Sequence, residues 1–113
     1  MNYKSLLGLL RTVRIKSFEK GEFLIPEGCT KTEVFLIRKG LVRSYFVQKS
    51  GHEITFQLYP ETYLLTNVHS LLFDEASKFT YEALEPTKAY VMDYANFIKV
   101  TSQNPNFSEL SQR

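Results

Sequence analysis

Apolar and polar positions change rhythm several times along this chain, and each change marks an element. Leu6, Leu7 and Leu10 share one side of a short helix expected over residues 3–10. After it the glycines set the beat: Gly21, Gly28, Gly40 and Gly51 separate runs with strand character. Turns recurring about every 8–12 residues are an all-β signal. Glu19-Lys20-Gly21 and Arg38-Lys39-Gly40 read as hairpin or bulge turns in which Gly takes the positive φ, and Lys49-Ser50-Gly51-His52 reads as another.

The strands differ in kind. Val34-Phe35-Leu36-Ile37 is apolar on both faces, which predicts a central strand. Glu53 to Leu58 alternates, so Ile54, Phe56 and Leu58 are expected to face the core and Glu53, Thr55 and Gln57 the solvent. Phe79, Tyr81 and Ala83 alternate in the same way with Lys78, Thr80 and Glu82, before Glu85-Pro86 turns the chain into Thr87–Asp93. Residues 63–73 suit a strand end followed by a short helix. Tyr94–Ser102 then turns helical, and Asn104-Pro105, a good N-cap and a good first helical residue, starts another segment that carries Phe107 and Leu110 on one face.

A chain of 113 residues holds one core. Nine Phe and seven Tyr make that core aromatic-rich, and one cysteine leaves it without an internal disulfide. The lone Cys29, the short apolar N-terminal stretch cut off by Arg11 and the absence of a membrane-length run give an expectation of a cytoplasmic protein with no membrane partner. The net charge of +2 hides an asymmetry: residues 1–49 hold ten Lys/Arg and four Glu, residues 50–113 four Lys/Arg and eight Asp/Glu. Spread over strands and turns, the basic residues read as solvated strand faces and not as a nucleic-acid patch.

Catalytic constellations are missing. His52 falls in a turn and His69 in the short helix, and no H-E-x-x-H, paired-cysteine, G-x-S-x-G or phosphate-binding glycine pattern occurs. Cys29 has no cation beside it that would activate a thiol, and Asp74-Glu75 reads as a solvated loop pair. No catalytic residue and no metal ligand is assigned.

The order of elements resembles the cyclic-nucleotide-binding fold of the sensor domains of Crp/Fnr-type bacterial transcription regulators. Phe18-Glu19-Lys20-Gly21-Glu22 through Gly28 is similar to that family's opening F-x-x-G-(E/D) hairpin. Val34 to Arg43 is similar to its V-F-x-I-x-x-G-x-V-R strand pair, Gly51-His52-Glu53 to its G-x-E turn, and Glu82-Ala83-Leu84-Glu85 to its closing strand. The match covers roughly residues 10–100, and its strength lies in order and spacing.

The resemblance implies a mainly β, antiparallel double-stranded β-helix or jelly roll with flanking helices over residues 1–103, with 104–113 beginning a truncated dimerisation helix. It implies a candidate ligand pocket at Leu64, Leu65, Thr66, Asn67, Ser77, Lys78 and Phe79, and a candidate dimer interface at Phe107 and Leu110. It also exposes a departure. The Gly-Glu pair that receives the cyclic phosphate and ribose in such domains falls within Leu65-Thr66-Asn67, and the phosphate-binding Arg falls on Ser77. Strand parity sends Lys78 away from the pocket unless a bulge turns it. The expectation is therefore an effector-sensing domain with a degenerate pocket, no cyclic-nucleotide cofactor and an unknown small-molecule effector. DNA would be reached only through a helix-turn-helix domain absent from this chain, and the intact protein would be a homodimer. A stand-alone interaction module with an empty pocket is the second reading, and a small metal-dependent β-barrel enzyme the third.

Overall fold

The computed structural model describes residues 12–103. Eight strands and two helices follow one another there: β1 (Arg14–Phe18), β2 (Phe23–Ile25), β3 (Glu33–Lys39), β4 (Val42–Val47), β5 (Glu53–Tyr59), β6 (Leu64–Thr66), α1 (Val68–Phe73), β7 (Thr80–Ala83), β8 (Thr87–Asp93) and α2 (Tyr94–Gln103). The helix expected over 3–10, with Leu6, Leu7 and Leu10, and the segment begun by Asn104-Pro105, with Phe107 and Leu110, lie outside the described residues.

All pairings are antiparallel and form two four-stranded sheets, ordered β1-β8-β3-β6 and β2-β7-β4-β5. The two-sided apolar run of β3 does lie centrally, between β8 and β6. One core joins the sheets: Phe35, Ile37, Leu65, Ala89 and Val91 from the first meet Leu24, Ile25, Val42, Tyr59, Tyr81 and Ala83 from the second. Each large side chain buried there contributes about 1.5–3 kcal/mol. The result is a jelly roll whose sheets do not close into a barrel.

Gly40 is where the chain leaves one sheet for the other. Its φ is 116°, and a Cβ at that position would sit 2.3 Å from Thr87 Oγ1. Only glycine lets the β3–β4 crossing press against the start of β8. Thr87 uses the closeness: its hydroxyl donates to the Glu85 carbonyl at 2.8 Å and accepts from the Leu41 N–H at 3.3 Å.

β5 departs from the alternation its sequence suggests. Ser44 faces Gln57 and Tyr45 faces Thr55, so Phe56 is an extra residue on β5, a β-bulge. The bulge shifts the phase of the strand. Glu53 and Thr55 point outward as expected, to Arg43, which donates to both and to Glu82. Beyond the bulge the expectation inverts: Gln57 turns inward, on the face of Tyr59, and Leu58 turns out opposite Arg43. Ile54 and Phe56 keep the inner side but stay 37% and 63% exposed, because the roll is open over this edge strand.

Tyr59 and Tyr81 sit together in the core with ring centroids 5.9 Å apart. Burial raises the pKa of both phenols above the ordinary value of 10.0; bonds from Ser44 and Tyr81 partly offset this at Tyr59, while the neighbouring Tyr59 adds to it at Tyr81. In the unfolded chain the phenols ionise near pH 10 while the folded protein holds its protons. The pair's stabilisation is therefore intact below pH 10 and is lost as pH rises above it. Urea unfolding between pH 8 and pH 11.5 should show a stability plateau followed by a decline above pH 10. Each tyrosine adds a slope of about 1.4 kcal/mol per pH unit, and Tyr59→Phe should remove about half of it.

Candidate functional site

Between β6 and α1 the chain must turn a strand into a helix within one residue, and Asn67 does it. Its side chain is fully buried, accepts from the Ser70 N–H at 3.3 Å, and so caps α1. Its amide donates to the carbonyls of Cys29 (2.8 Å) and Lys31 (3.1 Å). The Cys29 carbonyl also accepts from the Ser77 N–H at 2.9 Å, and the Gly28 N–H donates to the Ser77 carbonyl at 2.8 Å. The loop at 28–31, the start of α1 and the approach to β7 are thus one bonded unit. Asp74, in the left-handed region at φ 54°, closes α1.

A cleft of about 410 Å³ opens beside this unit. Leu64, Leu65 and Thr66 of β6, Gln57 and Tyr59 of β5, and Val34 of β3 form its floor, while Val68 and Leu71 of α1 and Tyr94, Phe97, Ile98 and Thr101 of α2 form its walls. The α2 residues recur at helical spacing, so one stripe of that helix faces the cleft. Asp93 orients α2 by accepting from the Asn96 N–H at 2.9 Å, and the Tyr94 N–H donates to the Thr32 carbonyl at 2.9 Å. Most polar groups on the lining are already bonded: the Thr66 hydroxyl donates to the Glu33 carbonyl at 2.8 Å, and that of Thr101 to the Phe97 carbonyl at 3.0 Å. The side chain of Gln57, turned inward by the bulge, has no hydrogen-bond partner among the described residues.

The seven residues proposed from sequence divide. Leu64, Leu65 and Thr66 line the cleft. Asn67 and Ser77 are buried, with Asn67 bonded as above and the Ser77 hydroxyl donating to the Phe79 carbonyl at 2.7 Å. Lys78 points to solvent, 3.5 Å from Glu75, while its N–H donates to His69 Nδ1. No bulge turns it inward. Phe79 lies elsewhere, stacked on Phe56 at 4.9 Å with Phe46 and His69 around it.

Sequence reasoning missed Gln57 and Phe56, whose roles depend on the bulge, and the α2 stripe. Two signals were visible: the adjacent apolar pair Leu58-Tyr59, which breaks the alternation, and the spacing of Tyr94, Phe97, Ile98 and Thr101. Cys29 is a half-buried free cysteine packed against the core. Among the described residues no three His, Cys, Asp or Glu side chains gather where they could hold a metal, and no helix is long and apolar enough to cross a membrane.

A two-sheet antiparallel roll, interrupted by a capped short helix and followed by a helix that walls its cleft, is the architecture of this domain. Residues 15–104 match the cyclic nucleotide-binding domain family, and the chain belongs to it. No curated protein matches the chain. Among solved structures it is similar to the catabolite activator protein of Thermus thermophilus, at 17% identity and a TM-score of 0.74 over 99% of this chain and 52% of that one. It is also similar to a CooA variant from Carboxydothermus hydrogenoformans, at 22% identity and a TM-score of 0.74 over 96% of this chain and 68% of that one. The sensor domain of the transcriptional regulator DNR from Pseudomonas aeruginosa matches at 15% identity and a TM-score of 0.78, over 96% of this chain and 72% of that one. The fold is therefore that of the sensor domains of Crp/Fnr-type regulators, and the chain spans about half the length of the Thermus protein.

Replacing Asn67 by Ala leaves two backbone carbonyls without their donor and α1 without its cap. Urea unfolding at pH 7 should show a loss of about 2–4 kcal/mol. Ser70→Ala, which removes a hydroxyl bonded to the Glu75 carbonyl at 2.7 Å and, at 3.4 Å, to that of Cys29, should cost at most about 1.5 kcal/mol.

Proposed function

We propose that this chain is the effector-sensing domain of a Crp/Fnr-like transcription regulator whose effector is not a cyclic nucleotide. The observation that carries the reading is the cleft whose far wall is α2. Its size, about 410 Å³, is within the range of small-molecule sites. Its lining is mostly apolar, and the Gln57 amide and Tyr94 hydroxyl are the polar side-chain groups on it without a hydrogen bond among the described residues.

A cyclic nucleotide needs a cation and open donors for its phosphate. At the family's phosphate position, Asn67 and Ser77 spend their polar atoms on the backbone, and Lys78, the cation next to Ser77 in sequence, faces solvent. An effector in the cleft would instead touch Tyr94, Phe97, Ile98 and Thr101 and bias the position of α2. That helix leads into residues 104–113, where the family resemblance puts the start of a dimerisation helix carrying Phe107 and Leu110. A DNA-binding domain in the intact regulator would read the change, in the cytoplasm and as a homodimer. The role is binding, without catalysis and without a resident cofactor. Leu72 and Phe73, 68% and 64% exposed at the end of α1, favour a second reading in which the roll is a protein-interaction module.

Calorimetric titration should find cyclic AMP and cyclic GMP binding weaker than about 100 µM, because the missing charge-assisted contact alone is worth about 1.5–3 kcal/mol. Micromolar or tighter affinity for either would falsify the assignment of a non-nucleotide effector. A thermal-shift screen of small apolar compounds bearing one amide-matching polar group should yield stabilising ligands whose effect disappears in Ile98→Trp, which fills the cleft from α2. Hits indifferent to Ile98→Trp, or no hits, would favour the interaction module.

A further inference from the structure

The first sheet's outward face gathers charge that the sequence scatters. Phe18, Phe35, Ile37, Ala89 and Val91 turn toward the core, so Lys88 and Tyr90 of β8 turn out, with Ser17 and Ile15 of β1 opposite them. On β3 the register shifts between Ile37 and Lys39, making Arg38 an extra residue and bringing Lys39 directly opposite Lys88. Arg38 lies over the Tyr90 ring, 5.9 Å from its centre. Three cations from residues up to 50 positions apart therefore share one face around a single tyrosine.

None of the three forms an ion pair among the described residues, whereas Arg14, Arg43 and Lys78 all do. Like charges directly opposite on neighbouring strands destabilise a sheet. The fold does not need this pair: both side chains are exposed, and a threonine or glutamate at either position would relieve the repulsion. Beside them Ile15 is 57% exposed.

We propose that this face docks an acidic segment of a partner protein, independently of the effector cleft. Neighbouring strands are about 4.8 Å apart, so Lys39, Lys88 and Arg38 match carboxylates spaced along an extended chain, and Ile15 receives an apolar residue beside them. A nucleic acid fits less well. The Tyr90 face is occupied by Arg38, so no ring is free for base stacking, and three cations supply few phosphate contacts.

Lys88→Glu separates this role from a structural one, because it places opposite charges across the β3–β8 pair. The substitution should raise the melting temperature by about 2 °C. It should also weaken binding of a fluorescein-labelled peptide of Glu and Asp residues with one Leu and one Phe by about tenfold, measured by anisotropy at low ionic strength. Lys49→Glu makes the same change in net charge at the β4–β5 turn and should leave peptide affinity within about twofold. Equal losses in the two variants, or no saturable peptide binding by the unsubstituted chain, would overturn the proposal. So would a mixed-sequence DNA duplex that binds more tightly than the peptide and is released by Lys88→Glu.

Discussion

The buried amide of Asn67 is the point on which this roll turns. A side chain with no exposure must satisfy its polar atoms internally, and this one does so with three bonds to two segments: the Ser70 N–H of α1 and the carbonyls of Cys29 and Lys31 in the 28–31 loop. Because the Cys29 carbonyl also holds the Ser77 N–H, the orientation of α1 and the entry to β7 are fixed together. Val68 and Leu71 reach the cleft only because α1 begins where Asn67 starts it. The same economy accounts for the chemistry of the site. Donors and acceptors locked into backbone bonds are not offered to a ligand, so under the proposed reading recognition would fall to the apolar walls, Gln57 and Tyr94.

Much of this was legible in the sequence because it depends on local pattern. Val34 to Ile37 reads as central since no face of it is polar, and β3 is central. Positive φ at Gly21, Gly40 and Gly51 reads correctly, but only the Gly51 turn closes a hairpin, between β4 and β5, while those at Gly21 and Gly40 carry the chain from one sheet to the other. The stretch 63–73 reads as a strand end and a short helix and is one. β5 did not read correctly, because a bulge depends on what the partner strand needs. One extra residue at Phe56 reverses the face of Gln57 and Leu58, and the only trace of it is the doublet Leu58-Tyr59. Of the site, Leu64, Leu65 and Thr66 were reachable through the resemblance to a known family. The α2 wall was visible as a helical stripe, but what it faces is set by tertiary packing.

Charge illustrates the same limit from the other side. Along the chain Arg38, Lys39 and Lys88 look like ordinary solvated strand residues, and the basic half of the sequence looks dispersed. Sheet register erases sequence distance: β8 lies beside β3, and a shift of one residue after Ile37 sets lysine against lysine. The Arg43 cluster on the other sheet shows the opposite outcome, since there the same operation brings Glu53 and Glu82 within 2.8 Å of one guanidinium. Two outward faces of one domain thus differ in kind, one internally neutralised and one left cationic.

The cleft also sets a limit on how strongly any effector could act. A ligand filling about 410 Å³ has on the order of 20 non-hydrogen atoms and, at about 0.3 kcal/mol each, gains about 6 kcal/mol in all. Driving a two-state equilibrium from 1:99 to 99:1 takes about 5.5 kcal/mol of difference between the two states. Only the contacts that change when α2 moves count toward that difference, and α2 supplies a third of the lining. About 2 kcal/mol is then available, a shift of about 30-fold in the equilibrium. A domain built this way would act as a graded bias on α2 and not as an all-or-none switch. A steeper response would have to come from coupling two copies, because each bound effector then adds its bias to a shared transition.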